Sequence, residues 1–378
     1  MDYDVCIIGG GAAGLAAAAS LSKTLNICLV EKNEILGRKI SVTGGGRCNI
    51  TNAACEHKNA SLDFFTSLGI ETYCDEEGRY FPYSNRASDV VLALTRALGK
   101  NVNVKCGFKV ISLKSGEMFE ISDGKDSITA KKVILAVGGK AAPHMGTTGD
   151  GYALVGKLGH SVSRLYPILA GIECEGLDFD RLSGIRSKAR VSLLYKVRPV
   201  ISGGKEVSET GEVQFTSYGI SGVCVFNLTP HMKTEEGIDV KEALSNYTIS
   251  MDLAPDFEIG ELVKRSSAFG IVTDSLAAEI DETGGPETMK DIRLSVTGIK
   301  GWRYAQCTAG GVSLEEIDCD TMESRLIPGL YVTGELLDIQ GPCGGFNLQN
   351  AWETGLKAAA AINKEAILFE IQDRTDKT

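Results

Sequence analysis

Three glycines and one carboxylate carry the clearest chemistry in this chain. Val5-Cys6-Ile7-Ile8 runs without a polar residue into Gly9-x-Gly11-x-x-Gly14, and an alanine-rich segment from Ala16 to Leu21 follows. A buried strand, a tight turn and a helix in that order form the phosphate cradle of a dinucleotide site. Gly9 permits the turn, Gly11 lets the backbone approach a pyrophosphate, and Gly14 lets helix and strand pack closely. The helix N-terminus then faces the phosphates. Glu31 ends a second apolar run, Ile27-Cys28-Leu29-Val30, 22 residues after Gly9, near the spacing at which an acid hydrogen-bonds the adenosine ribose hydroxyls.

A second glycine-rich stretch follows, Gly37-Arg38-Lys39-Ile40-Ser41-Val42-Thr43-Gly44-Gly45-Gly46-Arg47-Cys48-Asn49. Three successive glycines can turn N–H groups towards a phosphate or a flavin edge, while Arg38, Lys39 and Arg47 supply positive charge. A solvated basic loop is the alternative, but three glycines are costly in chain entropy for a mere connector. Near the other end, Leu330-Tyr331-Val332-Thr333-Gly334-Glu335 repeats the logic of a strand running into a glycine and an acid. Gly341-Pro342-Cys343-Gly344-Gly345-Phe346-Asn347-Leu348-Gln349 then leads into an alanine-rich helix through Ile362. If that helix points at the pyrimidine end of a flavin, its dipole and free N–H groups stabilise the charge that appears there on reduction.

Arg47, His144 and Tyr304 are the catalytic candidates. His144 is positioned to move a proton, although an exposed or capping histidine is the commoner role, and Thr147 and Asp150 read equally well as helix caps. Cys48 could approach a flavin or substrate, but a buried inert thiol is the more frequent case. The four histidines, His57, His144, His160 and His231, are dispersed, and the 11 cysteines never fall as CxxC. No metal site, structural zinc or dithiol relay is therefore expected, and the thiols read as reduced.

These residues need a layered α/β frame. Val133-Ile134-Leu135-Ala136-Val137, apolar throughout and stopped by Gly138-Gly139, reads as a central parallel strand whose end faces the cofactor. Before it, Val104–Cys106, Lys109–Leu113, Phe119–Ile121 and Ile128–Ala130 read as a β-meander. Val90, Val91, Leu94 and Leu98 recur at helical spacing. From residue 166 the pattern changes to short strands, including Ala189–Val197, Val213–Thr216 and Val223–Leu228, which reads as a small antiparallel barrel. Residues 238–292 are acidic and mostly helical in pattern, a cap. The expected domains are 1–165 plus 325–378 for the dinucleotide, 166–245 plus 293–324 for the barrel, and 246–292 for the small helical cap. The charged tail from Gln372 to Thr378 reads as frayed.

The whole chain sets limits. Its 378 residues exceed one ordinary domain, and 43% hydrophobic with 23% charged residues is usual for a globular enzyme. No stretch is long enough to span a membrane, and the N-terminus lacks the basic region of a secretory signal, so a cytoplasmic location is expected. With 39 basic and 49 acidic residues the net charge is −10, so no overall basic field attracts nucleic acid.

The motifs together resemble a known family. Gly37-Arg38-Lys39-Ile40, Thr43-Gly44-Gly45-Gly46-Arg47-Cys48-Asn49 and Ser84-Asn85-Arg86-Ala87-Ser88-Asp89 look like the bacterial aminoacetone-oxidase-like or BaiN-like flavoproteins (HI0933-like), within the glutathione-reductase-like FAD superfamily. Thr148-Gly149-Asp150-Gly151-Tyr152, Thr308-Ala309-Gly310-Gly311-Val312, Thr321-Met322-Glu323-Ser324 and Gly334-Glu335 through Gln349 extend the resemblance along the chain. It implies a discontinuous Rossmann FAD domain, an inserted β-barrel and a small helical domain, with FAD bound non-covalently. Carried over by motif, the FAD contacts are Gly9, Gly11, Ala13, Gly14, Glu31, Lys32, Lys39, Gly44, Gly45, Gly46, Arg47, Ala136, Gly138, Gly334, Asp338, Gly345, Asn347 and Leu348. The chain departs from the family pattern at Ser217, Val223 and Asn350, which leaves substrate specificity open.

What the resemblance implies is an FAD-dependent oxidoreductase in which flavin N5 exchanges a hydride with a small organic substrate. The direction is either NAD(P)H-dependent reduction or amine oxidation by O₂. No second GxGxxG follows a strand, so NAD(P)H would dock only transiently as electron donor. The alternative from another class is a flavin-dependent RNA-modifying or RNA-binding protein, which the acidic charge disfavours. Oligomeric state does not follow from the sequence.

Overall fold

The computed structural model describes residues 2–233 and 237–376. They form two compact units, Met1–Tyr166 with Cys307–Thr378, and Pro167–Gln306.

The first unit is built on a seven-stranded sheet. Its order is Val102–Cys106, Ile27–Glu31, Asp2–Ile8, Ser127–Leu135, Phe119–Ser122, Ser112–Lys114, with Leu330–Val332 also paired to Ser127–Leu135. Ile8 lies opposite Val30 on one side and Leu135 on the other, and Leu135 lies opposite Val332. Four parallel strands thus end in register, and Gly9, Glu31, Ala136 and Thr333 leave the sheet along one edge. In open α/β sheets the carboxyl ends of the strands are where ligands bind. This register brings a segment from near the C-terminus beside the opening glycine turn.

Two helices brace that edge. Ala12–Ser20 buries nearly all its length, and Phe346–Asp376 packs across it. At the crossing, a Cβ on Gly355 would stand 2.3 Å from the Ala13 carbonyl oxygen, so only glycine admits so close an approach. Asn363 ties the other end, accepting from Ser22 N (2.8 Å) and donating to Ser20 O (2.9 Å). The C-terminal helix runs on to Asp376 through the segment expected to fray, and the last two residues of that tail lie outside the described residues.

The second unit is a closed antiparallel barrel. Its sheet runs Arg186–Tyr195, Ser208–Thr216, Gly219–Ser221, Ile172–Glu175, Ile292–Ile299, Tyr247–Asp252, and the last strand pairs back to the first, with Val191 opposite Met251. Alternate residues point inward: Ala189, Val191 and Leu193 on one strand, Ile249 and Met251 on another, Leu294 and Val296 on a third are all buried. Short helices, Ile259–Leu262 and Asp274–Thr283 among them, pack their apolar residues on the same core.

Four sequence expectations change. Ile128–Ala130 and Val133–Val137 are one nine-residue strand, Ser127–Leu135, whose first half pairs with the meander and whose second half is the central parallel strand. Val223–Phe226 is a short helix, not part of a strand. Residues 246–252, assigned to the cap, form a barrel strand whose burial alternates strictly. Residues 307–324, assigned to the barrel, belong to the first compact unit. The physical reason is polar anchoring: Thr308 N donates to Glu335, and Ser324 hydrogen-bonds His160.

Candidate functional site

The opening cradle has the tight geometry its glycines require. Gly9 has φ +110°, and a Cβ there would lie 2.4 Å from Ala136 O; one on Gly14 would lie 1.9 Å from Gly9 O. Gly11, by contrast, has nothing within 4 Å of its Cβ position, so its backbone is bare where a dinucleotide phosphate would lie. Glu31, only 8% exposed, pins the crest of the turn. Its Oε2 accepts from Gly10 N (2.7 Å), and its Oε1 accepts from Asn33 N (2.8 Å) and Nδ2 (2.6 Å). Ala13, Ala136 and Gly334 close around the same turn: Cβ positions on Gly14 and Gly334 would each be 3.2 Å from an alanine Cβ, Ala136 and Ala13 respectively.

The triple-glycine loop is the second bare surface. Gly44, Gly45 and Gly46 have φ of +57°, +66° and +84°, and neither Gly45 nor Gly46 has a neighbour within 4 Å of its Cβ position. Arg47 anchors the loop's end. Its Nε donates to Gly44 O (3.3 Å), and its guanidinium carbon stands 4.2 Å from the Phe81 ring centroid, a cation–π contact that holds the side chain flat on an aromatic. Cys48, next in line, is fully buried with φ +62°. Burial pushes its thiol up to about 12, against a weaker opposing hydrogen bond with Thr43. It therefore stays a neutral thiol near pH 7 and is not a nucleophile.

Residues 49–52 fasten this loop to the start of the C-terminal helix. Asn52 Nδ2 donates to Gly344 O (2.8 Å), Thr51 Oγ1 to Gln349 Oε1 (2.7 Å), and Trp352 Nε1 to Ile50 O (3.0 Å). Trp352 is fully buried and meets Phe65 edge-on at 5.1 Å. A Cβ on Gly345 would lie 2.6 Å from Thr51 O and 2.8 Å from Asn49 Oδ1. Asn347, expected to touch the cofactor, uses its carboxamide on its own loop: Oδ1 accepts from Gly341 N (2.9 Å), and Nδ2 donates to Gly341 O (2.9 Å). Leu348 packs on the core.

Glu335, read in the sequence as the acid that ends the 330–335 run, has a role in the structure that the run alone did not reveal. Its Oε2 receives the Lys39 ammonium (2.8 Å), its Oε1 receives Thr308 N (2.9 Å), and Tyr152 OH donates to its carbonyl (3.1 Å). Thr308 Oγ1 in turn accepts from Lys140 N (2.8 Å) and Ala141 N (3.0 Å). A Cβ on Gly139 would strike Glu335 Oε1 at 2.6 Å. The Gly37-Arg38-Lys39, Gly138-Gly139, Thr308-Ala309-Gly310-Gly311 and Gly334-Glu335 motifs therefore converge on one carboxylate, and their joint presence was the available signal. Burial would lower the Lys39 pKa, but the charge and hydrogen bond of Glu335, with a contribution from Cys307, together outweigh it and hold the ammonium above its ordinary value. Burial and the same carboxylate push the Cys307 thiol and the Tyr152 phenol up.

Other expected residues have protein partners. The Lys32 ammonium binds Thr148 Oγ1 (2.6 Å) and Asp150 Oδ2 (2.5 Å). Asp338 accepts from Ser163 Oγ (2.7 Å) and from Gln340. Gly138, at φ +71°, packs against Thr147. His144 is exposed, and its loop lies against Asn33: a Cβ on Gly146 would meet Asn33 Nδ2 at 2.5 Å. Arg47 is thus on the triple-glycine loop, and Gly146, two residues after His144, is beside Asn33, the Glu31 carboxylate's partner. Tyr304 belongs to the second unit, 63% exposed, where Lys300 Nζ stands 5.6 Å from its ring and 4.1 Å from that of Tyr218. Among the described residues, no three His, Cys, Asp or Glu side chains are grouped to hold a metal, and no helix is long and apolar enough to cross a membrane.

Comparison with known proteins follows this geometry. Residues 3–62 and 56–361 match the family model for the HI0933-like protein Rossmann domain. The chain is 33% identical over 415 residues to the 3-dehydro-bile acid delta(4,6)-reductase of Clostridium scindens, covering 94% of this chain and 98% of that protein. It is 26% identical over 396 residues to the ribosomal RNA dihydrouridine synthase of Escherichia coli K12, covering 94% and 97%. Among solved structures, the 3-ketosteroid-delta4-(5alpha)-dehydrogenase of Rhodococcus jostii RHA1 superposes with a TM-score of 0.51 at 12% identity, over 96% of this chain and 97% of that one, a likeness of fold.

Proposed function

Because the chain belongs to the HI0933-like family of Rossmann-domain proteins, we propose that it is a reductase that saturates a carbon–carbon double bond conjugated to a carbonyl. The chain is an FAD-dependent oxidoreductase. The observation that carries the finer reading is the 33% identity along nearly the whole of both chains to a delta(4,6)-reductase. "3-Dehydro" describes a ring ketone, and a 4,6-diene lies in conjugation with it. Dihydrouridine, named in the second relative, is uridine with its ring double bond, also conjugated to a carbonyl, saturated. Both names describe one kind of reduction on different substrates.

The residues present fit FAD. The bare backbone at Gly11, Gly45 and Gly46 leaves room for it, and the close approaches at Gly9 and Gly14 make the turn that a dinucleotide needs. When bound, FAD supplies the hydride chemistry. The first turn of Ala12–Ser20 would hold the diphosphate, Glu31 the ribose, and the Gly44–Gly46 loop with the N-terminus of Phe346–Asp376 the flavin end. Lys39 and Glu335 would act as a brace that joins four loops of that site. Arg47, through its guanidinium, would polarise a substrate or cofactor oxygen. His144 and Tyr304 stand as candidates to move the proton that accompanies the hydride. NAD(P)H would be the transient electron donor, with a small-molecule substrate.

An anaerobic spectrum tests this. The purified protein should carry flavin absorbance, bleach with NADH or NADPH, and regain its colour when a conjugated enone is added without oxygen. Bleaching by an amine, with recovery only by O₂ and peroxide release, would replace the reductase reading by an amine oxidase.

A second reading places the conjugated ring in RNA. The near full-length match to a ribosomal RNA dihydrouridine synthase favours it, while the net charge of −10 weighs against a broad phosphate-binding face. Salt-sensitive retention of ribosomal RNA, with appearance of dihydrouridine, would select it.

A further inference from the structure

Beside the triple-glycine loop, the strands Thr51–Asn52, Arg79–Pro82 and Thr72–Cys74 form a small sheet with Arg79–Pro82 in the middle. Tyr73 lies directly opposite Phe81, so both rings project from one face. The row continues from ring to ring, Phe81 to Tyr73 at 6.1 Å between centroids and Tyr73 to Tyr83 at 5.6 Å. Its inner end joins the loop: a Cβ on Gly44 would stand 3.1 Å from the Phe81 ring, and the Arg47 guanidinium carbon lies 4.2 Å from the centre of the same ring. The row is buried at Phe81 and 69% exposed at Tyr83. Tyr83 is nonetheless fixed. Its N donates to Glu71 O (2.9 Å), Asn85 N donates to Pro82 O (2.8 Å), and Tyr73 OH donates to Asn85 Oδ1 (2.6 Å). An aromatic residue held in place yet left in water has given up freedom without gaining burial, and a ligand that covers it recovers that burial at little further cost.

Charge decides what kind of ligand that is. Arg79 is spent on Asp75 (2.8 Å) and Glu77 (2.8 Å). The exposed Arg47 and Arg86 are matched on the same segments by the exposed Glu71 and Glu76. The row therefore carries no net positive field for a chain of phosphates, and what it presents is an aromatic surface suited to a flat, uncharged skeleton.

We propose that this row is a specificity platform for a fused-ring substrate: the conjugated ketone is one ring of a larger flat skeleton, and the remaining rings pack on Tyr73 and Tyr83. This rests on the reductase reading above and adds to it the size and shape of the substrate. The reacting ring belongs at the loop end of the row, where Arg47 stands and where Gly45 and Gly46 leave their backbone bare. A single-ring enone would stop short of the tyrosines, whereas a fused-ring ketone would cover them. Tyr83 contributes binding to that substrate and takes no part in the chemistry.

The test is the concentration dependence of flavin re-oxidation when photochemically reduced holoenzyme is mixed, without oxygen, with a 3-oxo-Δ4 steroid or with cyclohex-2-enone. In wild type the steroid should half-saturate at the lower concentration. Tyr83→Ser should raise the steroid's half-saturating concentration about five- to tenfold, the worth of one aromatic contact. Its limiting rate should hold within about twofold, the pattern of lost binding rather than lost chemistry. Tyr83→Phe, which keeps the ring, should restore the wild-type value. Tyr83 is exposed, so neither change threatens the fold. Equal half-saturation by both enones in wild type, equal losses for both in Tyr83→Ser, or an unchanged steroid value would each overturn the inference and leave the reductase reading standing. Re-oxidation by uridine-containing ribosomal RNA and by neither enone would put a polynucleotide on the row and overturn it as well. A wild-type protein that none of the three re-oxidises would remove the reductase reading and this inference together.

Discussion

At the scale of single residues, what matters is which groups are free and which are used. Lys39 and Glu335 form the pair on which four loops depend. The Lys39 pKa is raised in the fold, so the pair contributes stability that is fully present below the unfolded lysine value of about 10.4 and is lost as pH climbs through the folded one. Glu335→Gln should therefore melt below wild type at pH 7 to 9, with the gap narrowing above about pH 10.5; thermal melts across that range check it. Both side chains are about a quarter exposed, so solvent screening limits the size of the effect. Cys48 gives a second prediction. Iodoacetamide at pH 7.5 should spare Cys48 in the native protein and label the exposed Cys74, Cys106 and Cys319 first, which peptide mapping would read; early labelling of Cys48 would contradict its burial.

At the scale of elements, the site depends on joints between segments far apart in sequence. The residue 49–52 stretch and the C-terminal helix are locked by Trp352. Trp352→Ala should cost about 3–5 kcal/mol, the usual loss for a buried tryptophan, and should lower FAD retention more than it disturbs the barrel unit, which limited proteolysis would separate. A second joint reads superficially like a catalytic triad. His160 Nδ1 lies 2.8 Å from Glu316 Oε2, and its Nε2 lies 2.8 Å from Ser324 Oγ. Ser324 Oγ also accepts from Leu326 N (3.1 Å) and Ile327 N (2.9 Å), so its proton is directed to Nε2 and the histidine donates from Nδ1. With its lone pairs taken and the residue buried, this serine is a clasp. His160→Ala should destabilise the first unit by about 2–3 kcal/mol through the unsatisfied groups it leaves, measured by denaturant melts, with no hydrolytic activity to lose.

At the scale of the whole molecule, the sequence was most readable where a backbone requirement is visible in residue type. Gly9 and Gly14 had to be glycine because Ala136 O and Gly9 O crowd their Cβ positions, and the strand-to-acid pattern at Val332–Glu335 placed the C-terminal segment in the same sheet. The barrel was legible from its short alternating strands. Tyr247–Asp252 pairs with Arg186–Tyr195 and Ile292–Ile299, and its own alternation of Tyr247, Ile249 and Met251 with Thr248, Ser250 and Asp252 was the available strand signal. Side-chain roles were the least legible. Lys32, Asp338 and Asn347 carry the polarity expected of cofactor ligands, yet each spends it on a protein partner. Glu335 was legible as an acid after a strand, while its pairing with Lys39 and Thr308 was not, because those partners lie far from it in sequence.

The central claim is that this family member reduces a conjugated double bond. Its most direct test is the anaerobic oxidative half-reaction: wild-type holoenzyme is reduced photochemically, then mixed with a 3-oxo-Δ4 steroid or with uridine-containing ribosomal RNA while the flavin absorbance is followed. The oxidised spectrum should return in step with one saturated product per flavin. A flavin that stays bleached with both substrates, and recovers only when oxygen is admitted, would contradict it.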